Sequence, residues 1–324
     1  MIKMDLMKRL GETCMEAPKK IVLPEGEDPR IIEAAIRVQR EGLANPILIS
    51  EGPSPELDSS EIPIVYPRGD HRMDSYVRRY LEMRGGRGVD ERIASRVLSK
   101  PLHYGSMMVG MGDADGVVAG ADNLTASVIK AGKLLIGLEE GISEPSSFFI
   151  MDVPGRNHLV FADCAVNPDP DSELLAQIAV SSASSARALL GVEPRVAMLS
   201  FSTKGSADHP HVRKVIDATK IAIQMDPALK IDGEMQADSA LVPEIAKRKR
   251  ASDILDGGAN VLVFPDLDAG NIAYKLVQHL ARASAFGPFL QGFRRPINDL
   301  SRGCTVEEVI GTILVTSVQT ESNR

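Results

Sequence analysis

The sequence predicts an α/β protein with mainly parallel sheets, and three observations carry that prediction. Short apolar runs alternate with amphipathic helical stretches along the chain, the pattern of parallel strands joined by crossover helices. The length of 324 residues corresponds to about two domains at roughly 150 residues each, or to one large α/β unit. The chain also changes character around residues 154–158 (PGRNH), where a domain boundary is expected.

The elements follow in order. Residues 20–24 (KIVLP) read as a strand. Asp28 and Pro29 then supply an N-cap and a first-turn proline, and Ile31, Ile32, Ala35, Ile36 and Val38 recur at helical spacing until Gly42 closes the helix. Residues 46–50 (PILIS) form the next strand, so this β–α–β unit implies a right-handed parallel crossover. The stretch 53–70 is rich in Pro, Ser and charge and reads as loop around a short strand at 62–66. Helices at 73–83 and 90–98 flank a Gly/Arg loop, and a strand at 116–119, a helix at 124–138 and a strand at 147–153 complete the first half. Beyond the boundary, strands are predicted at 159–163, 195–201, 230–233 and 260–265, and helices at 172–190, 212–225 and 270–283. Residues 288–290 and a polar stretch up to Arg302 precede a last helix at 306–319. In such sheets ligands bind beyond the carboxyl ends of strands, where polar turns run into helix N-termini.

Composition narrows the function classes. The formal charge is −7, and the densest basic cluster, residues 247–250 (KRKR), reads as a solvated helix end, so no nucleic-acid partner is expected. A small anionic substrate remains compatible, because it needs local positive groups and not a basic protein. Aromatics are 4% with no Trp, so the core rests on Ile, Leu, Val, Ala and Met. Cys14, Cys164 and Cys304 are far apart and form neither a disulfide framework nor a CxxC pattern, which points to a reducing compartment. The N-terminus lacks a signal-peptide h-region and no apolar stretch reaches membrane-span length, so a cytoplasmic protein without a membrane partner is expected. There is no Walker A sequence and no HExxH, and Gly110, Gly112 and Gly116 precede a strand instead of following one. His209 and His211 lack convergent partners, so no metal is expected.

Four segments hold candidate chemistry. Ser202-Thr203-Lys204-Gly205-Ser206 lies at a strand-to-helix turn; it can hold an oxyanion, or be an ordinary polar loop. Asp266 and Asp268 suit Mg²⁺ or acid–base work, with helix capping the simpler reading, and Asp232 and Glu234 share the same ambiguity. Ser301-Arg302-Gly303 offers a hydroxyl, a guanidinium and a permissive backbone for a carbonyl gaining negative charge, and one such donor is worth about 3–4 kcal/mol. Thr305-Val306-Glu307-Glu308 is a capping-box pattern, and Cys304, without a His partner nearby in sequence, reads as a packed thiol.

These segments resemble the phosphate acetyl/butyryltransferases. The resemblance runs through residues 161–170 (FADCAVNPDP), 195–207 (RVAMLSFSTKGSA), 230–243 (KIDGEMQADSALVP), 259–278 and 287–303 (GPFLQGFRRPINDLSRG), and in the first half through 19–30 (KKIVLPEGEDPR) and 113–121 (DADGVVAGA). It implies reversible transfer of an acetyl group between CoA and inorganic phosphate, by direct attack of the CoA thiolate on acetyl phosphate. CoA is then a substrate, and no metal or redox cofactor enters the chemistry. It also implies two three-layer α/β/α domains of the isocitrate/isopropylmalate dehydrogenase type with a cleft between them, and a homodimer. The domains are expected at 1–153 plus 301–324, the last helix returning to the first domain, and at 154–300.

Residue by residue, the family's Ser-Arg pair falls on Ser301 and Arg302, and its carboxylate base on Glu308. Near relatives carry Asp there, so the base is one methylene longer, and the capping-box reading of Glu308 stays open beside the catalytic one. A family Arg matches Arg84, with Arg87 as a competitor. A second falls on Lys130, which keeps the charge but loses the planar fork that grips phosphate at two points. Ser202, Thr203, Lys204, Gly205 and Asn298 complete the expected substrate-binding set. Transfer of a longer acyl group (propionyl or butyryl), a non-catalytic module sensing acyl-CoA or acyl phosphate, and a decarboxylating dehydrogenase of similar architecture are the alternatives.

Overall fold

The computed structural model describes residues 2–53, 61–84 and 88–322. The chain divides into two compact units, Met4–Glu139 with Phe293–Arg324, and Glu140–Gly292 with Met1–Lys3.

The first unit is built on strands β1 (Lys20–Leu23), β2 (Asn45–Ile49), β3 (Ile64–Val65), β4 (Gly116–Ala119) and β11 (Ile297–Asp299). Their order is β11-β4-β1-β2-β3 and every neighbouring pair is parallel. The central strands are apolar runs buried on both faces, as a sheet covered by helices requires. Its helices are α1 (Ile2–Glu16), α2 (Pro29–Arg40), α3 (Met73–Arg84), α4 (Glu91–Leu98), α5 (Pro101–Met111) and α6 (Thr125–Ala131), with α12 (Val306–Ser322) closing the unit. Asp28 caps α2 by accepting from the Arg30 N–H, and Pro29 occupies the first turn. On α12, Val309, Ile313, Leu314, Val315 and Val318 are buried, each worth about 1.5–3 kcal/mol of transfer free energy where fully removed from water. Helix α6 runs into a π-helical turn at Gly132–Ile136, shortening the regular helix expected to reach 138. Helix α5 escapes sequence periodicity because it is buried from Leu102 to Val109, with no polar face to reveal a 3.6-residue period.

The second unit holds β5 (Ser146–Asp152), β6 (Leu159–Ala162), β7 (Arg195–Leu199), β8 (Lys230–Met235), β9 (Val261–Val263) and β10 (Ser284–Gln291), in the order β10-β5-β6-β9-β7-β8. Strands β6, β9, β7 and β8 are parallel, while β5 and β10 add an antiparallel edge. Helices α7 (Ser172–Leu190), α8 (Pro210–Met225), α9 (Ala237–Leu241), α10 (Pro243–Lys249) and α11 (Leu267–Leu280) complete it.

Two expected boundaries move. The Pro/Gly stretch at 154–158 is the turn between β5 and β6 and not a domain border. So few residues are too short for a parallel crossover, so the two strands pair antiparallel and β5 belongs to the second unit. The return falls at Phe293 and not at 301, because β11 pairs with β4 in the first sheet. Among the described residues no helix is long and apolar enough to cross a membrane.

Candidate active site

The turn that carries Ser301 and Arg302 leaves the end of β11. Leu300 N–H donates to Ala119 O on β4 at 2.6 Å, which continues the strand pairing. Cys304 N–H then donates to Ser301 O (2.9 Å) and Gly303 N–H to Ser301 Oγ (3.3 Å). The outer clamp is Arg30, in the first turn of α2. Its Nη1 donates to the carbonyls of Arg302 and Cys304, both at 2.9 Å, and its Nη2 reaches Ala121 O at 3.4 Å. Asp28 holds the guanidinium from behind with both carboxylate oxygens, at 3.0 and 2.6 Å. Hydrogen bonding to Arg30, ahead of its charge, holds the Asp28 carboxyl below the usual carboxylate range. The backbone of the turn is thereby fixed while the Ser301 and Arg302 side chains stay exposed. Arg302 makes no side-chain hydrogen bond or ion pair among the described residues.

Beneath the turn lies a second device. The Glu25 carboxylate, just past β1, accepts from four successive backbone N–H groups, those of Gly120, Ala121, Asp122 and Asn123, at 2.8–3.0 Å, and from Asn123 Nδ2 at 2.8 Å. Consecutive amides of this kind form an anion-binding nest, filled here by the chain's own carboxylate. Gly120 has φ +119°, and a Cβ there would lie 2.5 Å from Asp299 Oδ1 and from Leu300 N, so only glycine fits. Asp299, the last residue of β11, is 8% exposed. Its Oδ2 accepts from the Thr125 hydroxyl at the start of α6, and its Oδ1 is buried without a hydrogen-bond partner among the described residues. Burial pushes the Asp299 carboxyl up to about 6; the Thr125 bond opposes this and the Glu25 charge adds to it. Alongside, a cavity of about 710 Å³ opens at the carboxyl ends of the strands, lined among others by Glu25, Arg30, Lys100, His103 and Asn123. It lies where the chain departs from β1 to β2 on one side and to β4 on the other, the place where open α/β sheets bind ligands.

Glu308 forms the capping box: its Oε2 accepts from Thr305 N–H (2.8 Å) and Oγ1 (3.2 Å), and Thr305 Oγ1 accepts from Glu308 N–H (3.3 Å). Its Oε1 makes no hydrogen bond among the described residues. Lys130 is exposed on α6, and Arg84, half-buried at the end of α3, has a buried Nε without a hydrogen-bond partner among the described residues. No hydrogen bond among the described residues ties either to the turn. Arg87 lies outside the described residues. Asn298 is fully buried, and its Nδ2 donates to Thr316 Oγ1 (2.9 Å) and Gln319 Oε1 (2.7 Å), so that group braces α12 against β11.

The Ser202–Ser206 loop of the second unit is satisfied internally. Ser202, fully buried, donates to Glu234 Oε1 (2.7 Å), which also accepts from Gly205 N–H (2.9 Å). Thr203 Oγ1 donates to Gln236 Oε1 (3.2 Å), and Lys204 Nζ pairs with Asp232. The donors expected to hold an oxyanion are thus taken by β8 carboxylates and amide. Asp266 caps α11 through Ala269 N–H (2.8 Å), and His209 caps α8 with its Nδ1 accepting from His211 N–H (3.2 Å). Among the described residues no cluster of three or more His, Cys, Asp or Glu could hold a metal.

Arg30, Glu25 and Asp299, which surround the candidate turn, are not among the site residues expected from the sequence. They lie in residues 25–30 (EGEDPR) and 297–302 (INDLSR), segments that carry the resemblance, where acids and an Arg stand near strand ends.

A model of the phosphate acetyl/butaryl transferase family matches residues 5–317. The phosphate acetyltransferase of Thermoanaerobacterium thermosaccharolyticum is 45% identical, over 98% of this chain and 100% of its own. That of Bacillus subtilis is 42% identical, over 97% and 99%. Among solved structures, a phosphotransacetylase from Streptococcus pyogenes matches with a TM-score of 0.93 and 39% identity, over 98% of both chains. The exposed Ser-Arg turn, its clamp and these likenesses agree, and the chain belongs to the phosphate acetyl/butaryl transferase family.

Proposed function

We infer that the protein is a phosphate acetyltransferase, moving an acetyl group reversibly between CoA and inorganic phosphate. The observation that carries this reading is the exposed Ser301–Arg302 pair on a turn whose backbone Arg30 holds rigid. An arginine without a partner is free to bind phosphate oxygens through its planar fork. A serine hydroxyl beside it can donate to the acetyl carbonyl as that oxygen gains charge, a contribution of about 2.7–4 kcal/mol for one well-placed donor. The CoA thiol, with an ordinary pKa of about 8.5, needs a base or a positive field to attack as thiolate at neutral pH. Glu308 Oε1 is the carboxylate oxygen left open for that proton, while Oε2 keeps the helix cap. Lys130 and Arg84 supply further charge for phosphate or CoA. Orienting two substrates together lowers the barrier by about 7–11 kcal/mol, so no covalent enzyme intermediate is required. Neither substrate changes oxidation state, and the reading includes no metal or redox cofactor.

The same reading includes a homodimer in the cytoplasm and membership of the isocitrate/isopropylmalate dehydrogenase-like fold group. Support for the dimer is an apolar stripe on α11, where Ile272, Leu276 and Leu280 are 56%, 52% and 80% exposed at i, i+4, i+8 spacing. Support for the fold group is the covered parallel sheet of the first unit. Purified protein is expected to release free thiol from acetyl-CoA only when phosphate is present, and faster than from propionyl- or butyryl-CoA. Absence of phosphate-dependent release with all three would overturn the reading; a faster rate with a longer acyl group would revise its substrate.

A further inference from the structure

We propose that Asp299 is a positioning residue for acetyl transfer: its carboxylate, held between Thr125 and Gly120, keeps the Ser301–Arg302 turn and the helix bearing Lys130 in the arrangement the reaction needs. The proposal rests on the function inferred above.

The geometry gives Asp299 this reach. It ends β11, two residues before Ser301, and the strand pairing continues through Leu300 to Ala119. Its Oδ2 takes the Thr125 hydroxyl, and Thr125 opens α6, which carries Lys130 five residues on. Gly120 closes over Oδ1 so tightly that no side chain fits. One carboxylate therefore joins β11, the β4 loop and α6.

The chemistry of the position argues that stability alone does not account for it. Among the described residues Oδ1 is buried with no hydrogen-bond partner, and the charged group acting on it is another carboxylate, Glu25, in the nest formed by Gly120 and its neighbours. Among those residues helix α6 offers the neutral Thr125 hydroxyl, β4 offers Val118 and Ala119, and α12 bonds to Asn298. A buried carboxylate with one hydrogen bond and no cation is unfavourable when ionised. Its folded-state pKa of about 6 lies above the ordinary 3.8, so folding favours the protonated form. The stabilising contribution is full below 3.8 and is lost as pH rises through 6. At pH 8 the ionised side chain burdens the fold, whereas an amide in its place does not carry that charge.

The test compares wild type with Asp299→Asn, Thr125→Val and Thr125→Ser, in phosphate-dependent thiol release from acetyl-CoA between pH 5 and 9 and in thermal unfolding at pH 8. Wild-type kcat is expected to fall on the acid side with an apparent pKa near 6. Asp299→Asn is expected to lower kcat about tenfold or more at pH 8, to change KM less than about threefold, to erase that acid limb, and to raise Tm. Thr125→Val is expected to lower kcat in the same direction, and Thr125→Ser to recover most of the loss. A wild-type rate and an unchanged acid limb in Asp299→Asn would overturn the proposal. So would a fall in Tm with the pH profile unaltered, which marks a plain structural role. If the wild type itself releases no thiol with any acyl-CoA, the functional reading has failed and this proposal falls with it; an active wild type with a normal Asn variant refutes only the proposal.

Discussion

Two turns in this molecule share nearly the same letters and do opposite things. Ser301-Arg302-Gly303 follows β11 in the first sheet, and Ser202-Thr203-Lys204-Gly205 follows β7 in the second. Both place a hydroxyl, a cation and a glycine at the carboxyl end of a parallel strand. In the first, a distant arginine, Arg30, takes the backbone carbonyls, and the turn's own side chains remain exposed. In the second, Glu234 buries the serine and Asp232 neutralises the lysine. The residue types in a turn set what chemistry it can offer, and the partners supplied by other strands decide whether any of it is left for a ligand.

The strongest way to break the contrast is to remove the floor under the first turn. Gly120→Ala places a Cβ 2.5 Å from Asp299 Oδ1 and from the Leu300 amide, at a φ of +119° that disfavours any side chain. We expect a destabilisation of more than about 3 kcal/mol, measured by urea unfolding, with loss of activity even in the fraction that folds. Next in size, Arg302→Ala removes the unpartnered guanidinium, and Ser301→Ala the exposed hydroxyl. Each is expected to lower kcat by about 10²–10³ while leaving Tm within a few degrees, since Arg302 makes no side-chain bond among the described residues and Ser301 Oγ accepts only the long Gly303 N–H bond there. Wild-type turnover in both variants would show that the exposed pair is not the reacting site.

Arg30→Ala separates rigidity from chemistry. It deletes the donors to Arg302 O and Cys304 O but leaves Ser301 and Arg302 in place. Turnover is expected to fall about 10- to 100-fold, with a smaller change in stability, as loss of preorganisation predicts. The wild-type clamp should also loosen in acid. Asp28 is held below its ordinary 3.8 by Arg30, so its contribution to stability is present above that value and is lost as pH falls through the lower folded-state value. A Tm profile for Arg30→Ala that parallels wild type down to pH 3 would show that the pair contributes nothing.

Much of the architecture was legible because strands and helices here announce themselves by period and cap. Asp28-Pro29 and Asp266 each mark a helix start that the structure confirms with a side-chain bond to a backbone N–H. Helix α5 was not legible, since burial on all sides leaves no polar period to read, and β11 hid inside a Pro/Arg-rich stretch. The Ser301–Arg302 turn was legible as chemistry. Its supports were not, because Arg30 and Cys304 are 274 residues apart, and Glu25 and Gly120 are 95 apart. Such pairs follow from strand order, which no local window of sequence carries. The bonds of Asn298 to α12 were hidden for the same reason: whether a polar strand residue meets a covering helix depends on where that helix docks.

The smallest expected effect sharpens the contrast most. Lys204 is partly exposed and paired with Asp232, and an exposed ion pair of this kind is worth about 0–1 kcal/mol. Lys204→Ala should therefore shift Tm by only a degree or two, and by less at high salt, where screening weakens the pair further. If the cation is used up in that pair, kcat/KM for phosphate and for acetyl-CoA should each change less than about threefold, against the hundredfold or more expected at Arg302. A loss comparable to that of Arg302→Ala would mean that Lys204 leaves Asp232 to meet a substrate, and that the second turn's self-satisfied state is a resting arrangement exchanged for ligand binding. The double variant Lys204→Ala with Asp232→Ala distinguishes the two: a structural pair removed whole should cost no more than either half, whereas a substrate-binding lysine should leave the full kinetic loss in place.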